Sequence, residues 1–164
     1  MRSLLAVIGS AVFLVIAPGF VAGVVPLWIS RWRVDDPFFG LEIFRIAGGV
    51  LLAAGAIGLL ECFARFALQG VGTPAPVFPT RHLVIAGLYR YVRNPMYVSV
   101  VAAILGQALI FGNTKLLMYG IAIWAAFHAF VMIYEEPTLR ATFGAEYEAF
   151  RAEVPRWIPR FRRR

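Results

Sequence analysis

Four long apolar runs limit this chain to very few folds. They cover about 4–29, 43–68, 97–111 and 116–134, and a transmembrane helix needs ~20 apolar residues. Hydrophobic residues make up 60% of the 164 positions, against ~45–50% in soluble domains. A soluble fold of this length has too little interior to hide them. The first run is too long for the core of a signal peptide and shows no small-x-small cleavage site, so it reads as a membrane helix, interrupted at Pro18-Gly19 and Pro26. The third is short, which predicts that it starts inside the Asn94-Pro95 turn, tilts, or fails to span. Gly112-Asn113-Thr114 is a tight turn that makes runs three and four an antiparallel hairpin.

The polar residues fall between these runs and sort by charge. Under a four-helix topology, 12 of the 16 Lys and Arg lie on the side of the termini, and only Arg31, Arg33, Arg45 and Lys115 lie on the other. The positive-inside rule then puts both termini and the 65–93 connector in the cytoplasm. The arginines at 156, 160 and 162–164 read as a basic segment facing anionic lipid, with no nucleic-acid partner. Residues 70–80, rich in Gly and Pro, cannot be helical. Glu136-Pro137 opens a C-terminal amphipathic helix, with Leu139, Phe143, Tyr147 and Phe150 along one face. Gly48, Gly49, Ala53, Ala54, Gly55 and Gly58 give run two a small-residue face for close helix contact, which leaves room for a homodimer.

Little conventional catalytic equipment is present. Cys62 is the single cysteine, and with His82 and His128 it makes no metal set. No Gly-rich phosphate loop and no Gly-x-Ser-x-Gly occurs. Glu61 and Arg65, four apart, suit a local ion pair near the headgroups or a place in a site. The hairpin 98–133 brings its two polar ends together, so Arg93, Asn94 and Tyr97 should meet Glu135 and Glu136, with Tyr89, Arg90 and Tyr91 nearby. Such a cluster serves either as an ion-pair lock or as a polar pocket at the membrane surface, which is costly to build without a use. His128, Met132 and Glu135, at i, i+4 and i+7, are expected on one helix face, with His128 a candidate proton-handling group or a histidine satisfied by its neighbours.

These residues resemble a known signature. His82-Leu83-Val84, Gly87-x-Tyr89 and Arg93-Asn94-Pro95-x-Tyr97, followed by Glu135-Glu136, Phe143-Gly144, Tyr147 and Val154-Pro155, are similar to the S-adenosyl-L-methionine-binding pattern of the isoprenylcysteine carboxyl methyltransferase family. Its wider group includes membrane phospholipid N-methyltransferases. The resemblance covers about 70–160 and implies S-adenosyl-L-methionine as cofactor. It places His82, Leu83, Val84, Gly87, Tyr89, Arg93, Asn94, Pro95, Met96, Tyr97 and Glu135 around that cofactor. Two departures stand out. The motif histidine is Asn94, which cannot titrate. Where the animal prenylcysteine enzymes place an arginine for the substrate carboxylate, this chain has Val131.

The expectation is an all-α, polytopic integral membrane protein with four to five transmembrane helices, a cytoplasmic cofactor pocket and a C-terminal amphipathic helix. It forms one membrane domain over 1–164, with two N-terminal helices in 1–69 and the catalytic core in 70–164. It would sit in the lipid bilayer of a bacterial inner membrane, as the Ala and Arg richness of a GC-rich genome suggests. It would transfer a methyl group to a lipophilic small-molecule or lipid acceptor. Arg93, Glu136 and His128 are its catalytic candidates, the last two as bases. An amine-lipid N-methyltransferase and a non-catalytic scaffold are the alternatives.

Overall fold

The computed structural model describes residues 16–69, 83 and 85–159. The start of the first apolar run, the connector 70–80, His82, Val84 and the arginines beyond 159 lie outside the described residues.

Helix α1 (Ile16–Ser30) contains a wide turn over Phe20–Val24. Proline explains it. Pro26 has no N–H for the Ala22 carbonyl, and the Val25 N–H bonds back to Phe20 rather than to Val21. Both released carbonyls find side-chain donors: Gln107 Nε2 donates to Ala22 O at 2.8 Å and the Tyr119 hydroxyl to Val21 O at 2.9 Å. Hydrocarbon offers no water to satisfy such groups, so an interrupted apolar helix needs these partners.

Helix α2 (Ile43–Gln69) packs along its length on α3 (Pro95–Phe111). The short third run does begin in the Asn94-Pro95 turn, with Pro95 in the first turn of the helix. The backbones of α2 and α3 touch. A Cβ added at Gly55 would stand 2.7 Å from Ser99 O, and one at Gly106 2.6 Å from the Leu52 nitrogen. Gly48 and Gly55 of the small-residue face of run two thus pack within the chain on α3, while Gly49, Ala53 and Ala54 stay exposed.

Gly112 ends α3 in the left-handed region (φ 63°) and Asn113 caps α4, its side chain accepting the Leu116 N–H at 2.9 Å. Helix α4 runs over Thr114–Phe143. It does not stop at Glu136-Pro137. A second wide turn, Val131–Glu135, carries it past Pro137, and it breaks at Gly144 (φ 52°) before α5 (Ala145–Glu153). The expected single C-terminal helix is thus two pieces. Its apolar residues still converge: Leu139 and Phe143 from α4 pack on buried Tyr147, Phe150 and Val154, together with Leu83.

The main core lies between α2, α3 and α4, around Leu59, Phe63, Val100, Ile104, Ala108 and Leu116. Two spans, Ile43–Arg65 and Thr114–Phe143, are long and apolar enough to cross a membrane, and Ile16–Ser30 and Pro95–Phe111 are shorter apolar helices. In the most apolar 18-residue stretch of each long span only 22% and 17% of the residues are buried. Ile46, Val50, Ile57, Leu60, Met118 and Ile121 stand exposed along them, where a soluble core helix would be covered. Their outer faces are suited to lipid.

Candidate functional site

The polar ends of α3 and α4 meet as the hairpin geometry requires, but they form two separate clusters. Consecutive residues on a helix point about 100° apart, so the neighbouring carboxylates reach different partners. His128, Met132 and Glu135 do not share a face as expected: Met132 turns outward, half exposed, while the other two meet unrelated groups.

The first cluster centres on Glu136, which is buried. Arg93 Nη1 donates to its Oε1 at 2.9 Å, Arg156 Nε to Oε1 at 2.7 Å, and Arg156 Nη2 to Oε2 at 3.0 Å. Arg93 Nη1 also reaches the Tyr147 hydroxyl at 3.1 Å. The backbone completes the lock. The Arg93 N–H donates to Pro155 O at 2.9 Å, and buried Asn94 gives its Nδ2 to Arg156 O at 3.3 Å. The hydrogen bond to Glu136 raises the pKa of Arg156, and burial, followed by the Glu136 charge, raises that of Tyr147. Both groups thus keep their protons at neutral pH. Glu136 closes the C-terminal segment onto the helix bundle, both of its oxygens accepting from guanidiniums.

His128 belongs to the same wall. Its Nδ1 accepts the Trp157 indole N–H at 3.0 Å, which assigns its own proton to Nε2, and the ring lies between Trp124 and Trp157 at 5.4 and 5.8 Å.

The second cluster centres on Glu135. The Tyr97 hydroxyl donates to its Oε2 at 2.9 Å, and the Tyr97 ring packs on Phe127 at 4.7 Å. Oε1 has no hydrogen-bond partner among the described residues. Tyr89 comes in from a 3-10 turn, Gly87–Arg90. Burial, then the neighbouring Cys62, Glu135 and Tyr97, raise its pKa well above the usual phenol value, so it remains a donor.

That turn is held by Glu61, which the sequence offered as a local ion pair or a place in a site. The ion pair is present, with Arg65 Nε 2.7 Å from Oε1. In addition, the Leu88 N–H reaches Glu61 Oε2 at 3.5 Å. Gly87 adopts φ +59°, and a Cβ there would run into the Glu61 carboxylate, so the position favours glycine. Glu61, Arg65, Ile85, Ala86, Gly87, Leu88, Arg90 and Tyr91 line an open cleft of about 390 Å³, within the ~300–1,000 Å³ of small-molecule sites.

Of the residues expected at the site, the structure brings Tyr89, Tyr97 and Glu135 together, with Gly87 in the turn beside them. Leu83 packs on the C-terminal cluster, Met96 on the main core, and Pro95 is buried at the start of α3. Arg156, Tyr147 and Trp157 were not singled out as site residues in the sequence. For the first two, the spacing of Tyr147 and Val154-Pro155 was the available signal.

A model of the phospholipid methyltransferase family matches residues 43–146, which include α2, the turn, α3, α4 and both glutamates. Protein-S-isoprenylcysteine O-methyltransferase of Schizosaccharomyces pombe is 37% identical over 78 residues, covering 47% of this chain and 33% of that protein. The matched stretch thus spans about a third of the relative. No solved structure matches. With well over half of its length matched, including the helices that build the Glu135 cluster, the chain belongs to the phospholipid methyltransferase family.

Proposed function

We propose that this protein is an integral membrane methyltransferase, isoprenylcysteine carboxyl methyltransferase-like. It would carry a methyl group from S-adenosyl-L-methionine to a lipophilic acceptor arriving through the bilayer, with the site at the cytoplasmic face. The observation that carries this reading is the state of Glu135. Its carboxylate is oriented by Tyr97, sits beside Tyr89, and keeps one oxygen without a hydrogen-bond partner among the described residues.

The residues present fit the cofactor. A carboxylate with spare acceptor capacity suits ribose hydroxyls or an ammonium group. Tyr89 and Tyr97 offer aromatic faces to a sulfonium. Arg93 Nε is buried without a hydrogen-bond partner among the described residues, and Arg65 and Arg90 line the cleft. Any of these guanidiniums can receive the amino-acid carboxylate. When bound, the cofactor supplies a methyl group activated by its sulfonium, open to in-line displacement by an acceptor lone pair.

The protein's own part is then positioning and water exclusion. The Leu88 N–H to Glu61 contact ties down the turn that presents Tyr89, and the Arg93–Glu136–Arg156 lock fixes the wall behind it. Holding donor and acceptor in line can supply several kcal/mol of the barrier. Glu136 is bound by two guanidiniums, and His128 Nδ1 is taken by Trp157. Neither proposed base is free, which favours an acceptor that is already anionic, such as a carboxylate.

A second reading, an amine-lipid N-methyltransferase, draws on Val131. It is buried and sits where the resemblance would put an arginine for the acceptor carboxylate. Methylation assays with a prenylcysteine analogue against an aminophospholipid separate the two. Calorimetric binding of S-adenosylhomocysteine in nanodiscs tests both. Micromolar binding that weakens at least tenfold in Glu135→Gln supports the site. No binding by folded protein would leave the clusters as a membrane scaffold.

A further inference from the structure

At the other end of the helices lies a second concavity, of about 840 Å³, lined by Trp28, Ile29, Ser30, Arg31, Arg33, Asp35 and the turn Gly112–Lys115. Thr114 begins α4 and Glu135 stands 21 residues along it. That is ~30 Å of helix, the thickness of a bilayer's hydrocarbon core. The cleft therefore opens at the membrane surface opposite the methyl-transfer cluster. Nothing in the proposed reaction uses it.

Its walls are fastened together. The Asp35 N–H donates to Phe111 O at 2.9 Å, tying the segment after α1 to the end of α3. The Trp32 ring rests on Phe111, with centroids 6.1 Å apart. Arg31 and Trp32 both adopt the left-handed region, φ 49° and 55°, a strained choice for two successive side-chain-bearing residues. Ser30 holds the reversal, donating its hydroxyl to Pro26 O at 2.8 Å and accepting the Trp32 N–H at 3.3 Å. The strained turn brings Arg31 and Arg33 to the same cleft as Lys115.

The charges there are unbalanced. None of Arg31, Arg33 and Lys115 has an ion-pair partner among the described residues. Asp35 is the only acidic residue in the lining. By contrast, Arg45 on the same side pairs with Glu42 at 2.8 Å. Three cations and one carboxylate line the cleft, an excess of positive charge that a bound anion would offset. Trp28 and Trp32, 66% and 69% exposed, flank this cleft as interfacial aromatics do at headgroup depth.

We propose that this cleft binds the phosphate of an anionic phospholipid in the leaflet opposite the methyl-transfer site. Arg31, Arg33 and Lys115 contact the phosphate, and Trp28 and Trp32 seat in the interface beside it. The proposal depends on the membrane topology and is independent of the methyl-transfer reading.

Native mass spectrometry of the full chain, titrated with phosphatidylglycerol, tests it. Wild type should retain phosphatidylglycerol at least tenfold more tightly than phosphatidylcholine. The Arg31→Gln/Arg33→Gln/Lys115→Gln variant should lose that preference. Equal phosphatidylglycerol affinity in wild type and the triple variant overturns the site. If the triple variant does not fold, Lys115→Gln, at an exposed position, decides the question: a severalfold loss supports the site and an unchanged affinity overturns it. Millimolar inorganic phosphate should leave the lipid bound. Displacement of the lipid by phosphate would assign the cleft to a soluble phosphate compound and overturn the lipid assignment.

Discussion

Glu135 and Glu136 are neighbours in the chain and differ in almost every physical respect. Glu136 is buried under two guanidiniums that take up both its oxygens. Glu135 is held at one oxygen by a tyrosine, and its other oxygen has no partner among the described residues. The first arrangement is what a structural clamp needs, with charge neutralised and donors matched to acceptors. The second is what a ligand site needs: orientation without saturation. Consecutive side chains on a helix point about 100° apart, so the two neighbours face different surroundings.

The largest test of this contrast is Glu136→Ala. It leaves Arg93 buried with no counter-charge, and loss of one partner of a buried pair costs about 3–5 kcal/mol. The thermal unfolding midpoint in nanodiscs should fall sharply, and a midpoint close to wild type would mean that Glu136 is no clamp. Glu135→Gln should behave in the opposite way. S-adenosylhomocysteine affinity should drop at least tenfold, equivalent to ~1.4 kcal/mol, while ligand-free stability stays near wild type. If stability falls and affinity does not, the two glutamates have been assigned the wrong way round. Tyr97→Phe is the finest probe. It removes one hydrogen bond from Glu135, worth ~0.5–1.5 kcal/mol, so affinity should weaken severalfold with Glu135 still charged. No change in a calorimetric titration would show that Tyr97 does not orient the carboxylate.

Much of this was legible in the order of residues. The apolar runs, the start of α3 at Pro95 and the Gly112-Asn113 turn are local signals, because each depends on a missing N–H, a left-handed backbone or a nearby side chain. They alone bring residue 93 near residue 136 in any antiparallel hairpin. The split of the C-terminal helix at Gly144 was less visible, since its apolar spacing continues across the break. The use of run two's small residues was also hidden, because a glycine face suits an internal neighbour and a second copy equally well.

The sequence by itself determined the solvent, the helices and the pair of polar ends that must meet, since these depend on hydropathy and backbone chemistry over short spans. Tertiary structure decided which glutamate is sealed and which is open. It also decided that Glu61 braces the Gly87 turn and that His128 is held by Trp157. Those outcomes rest on partners 20 to 43 residues away, which leave no periodic trace along the chain.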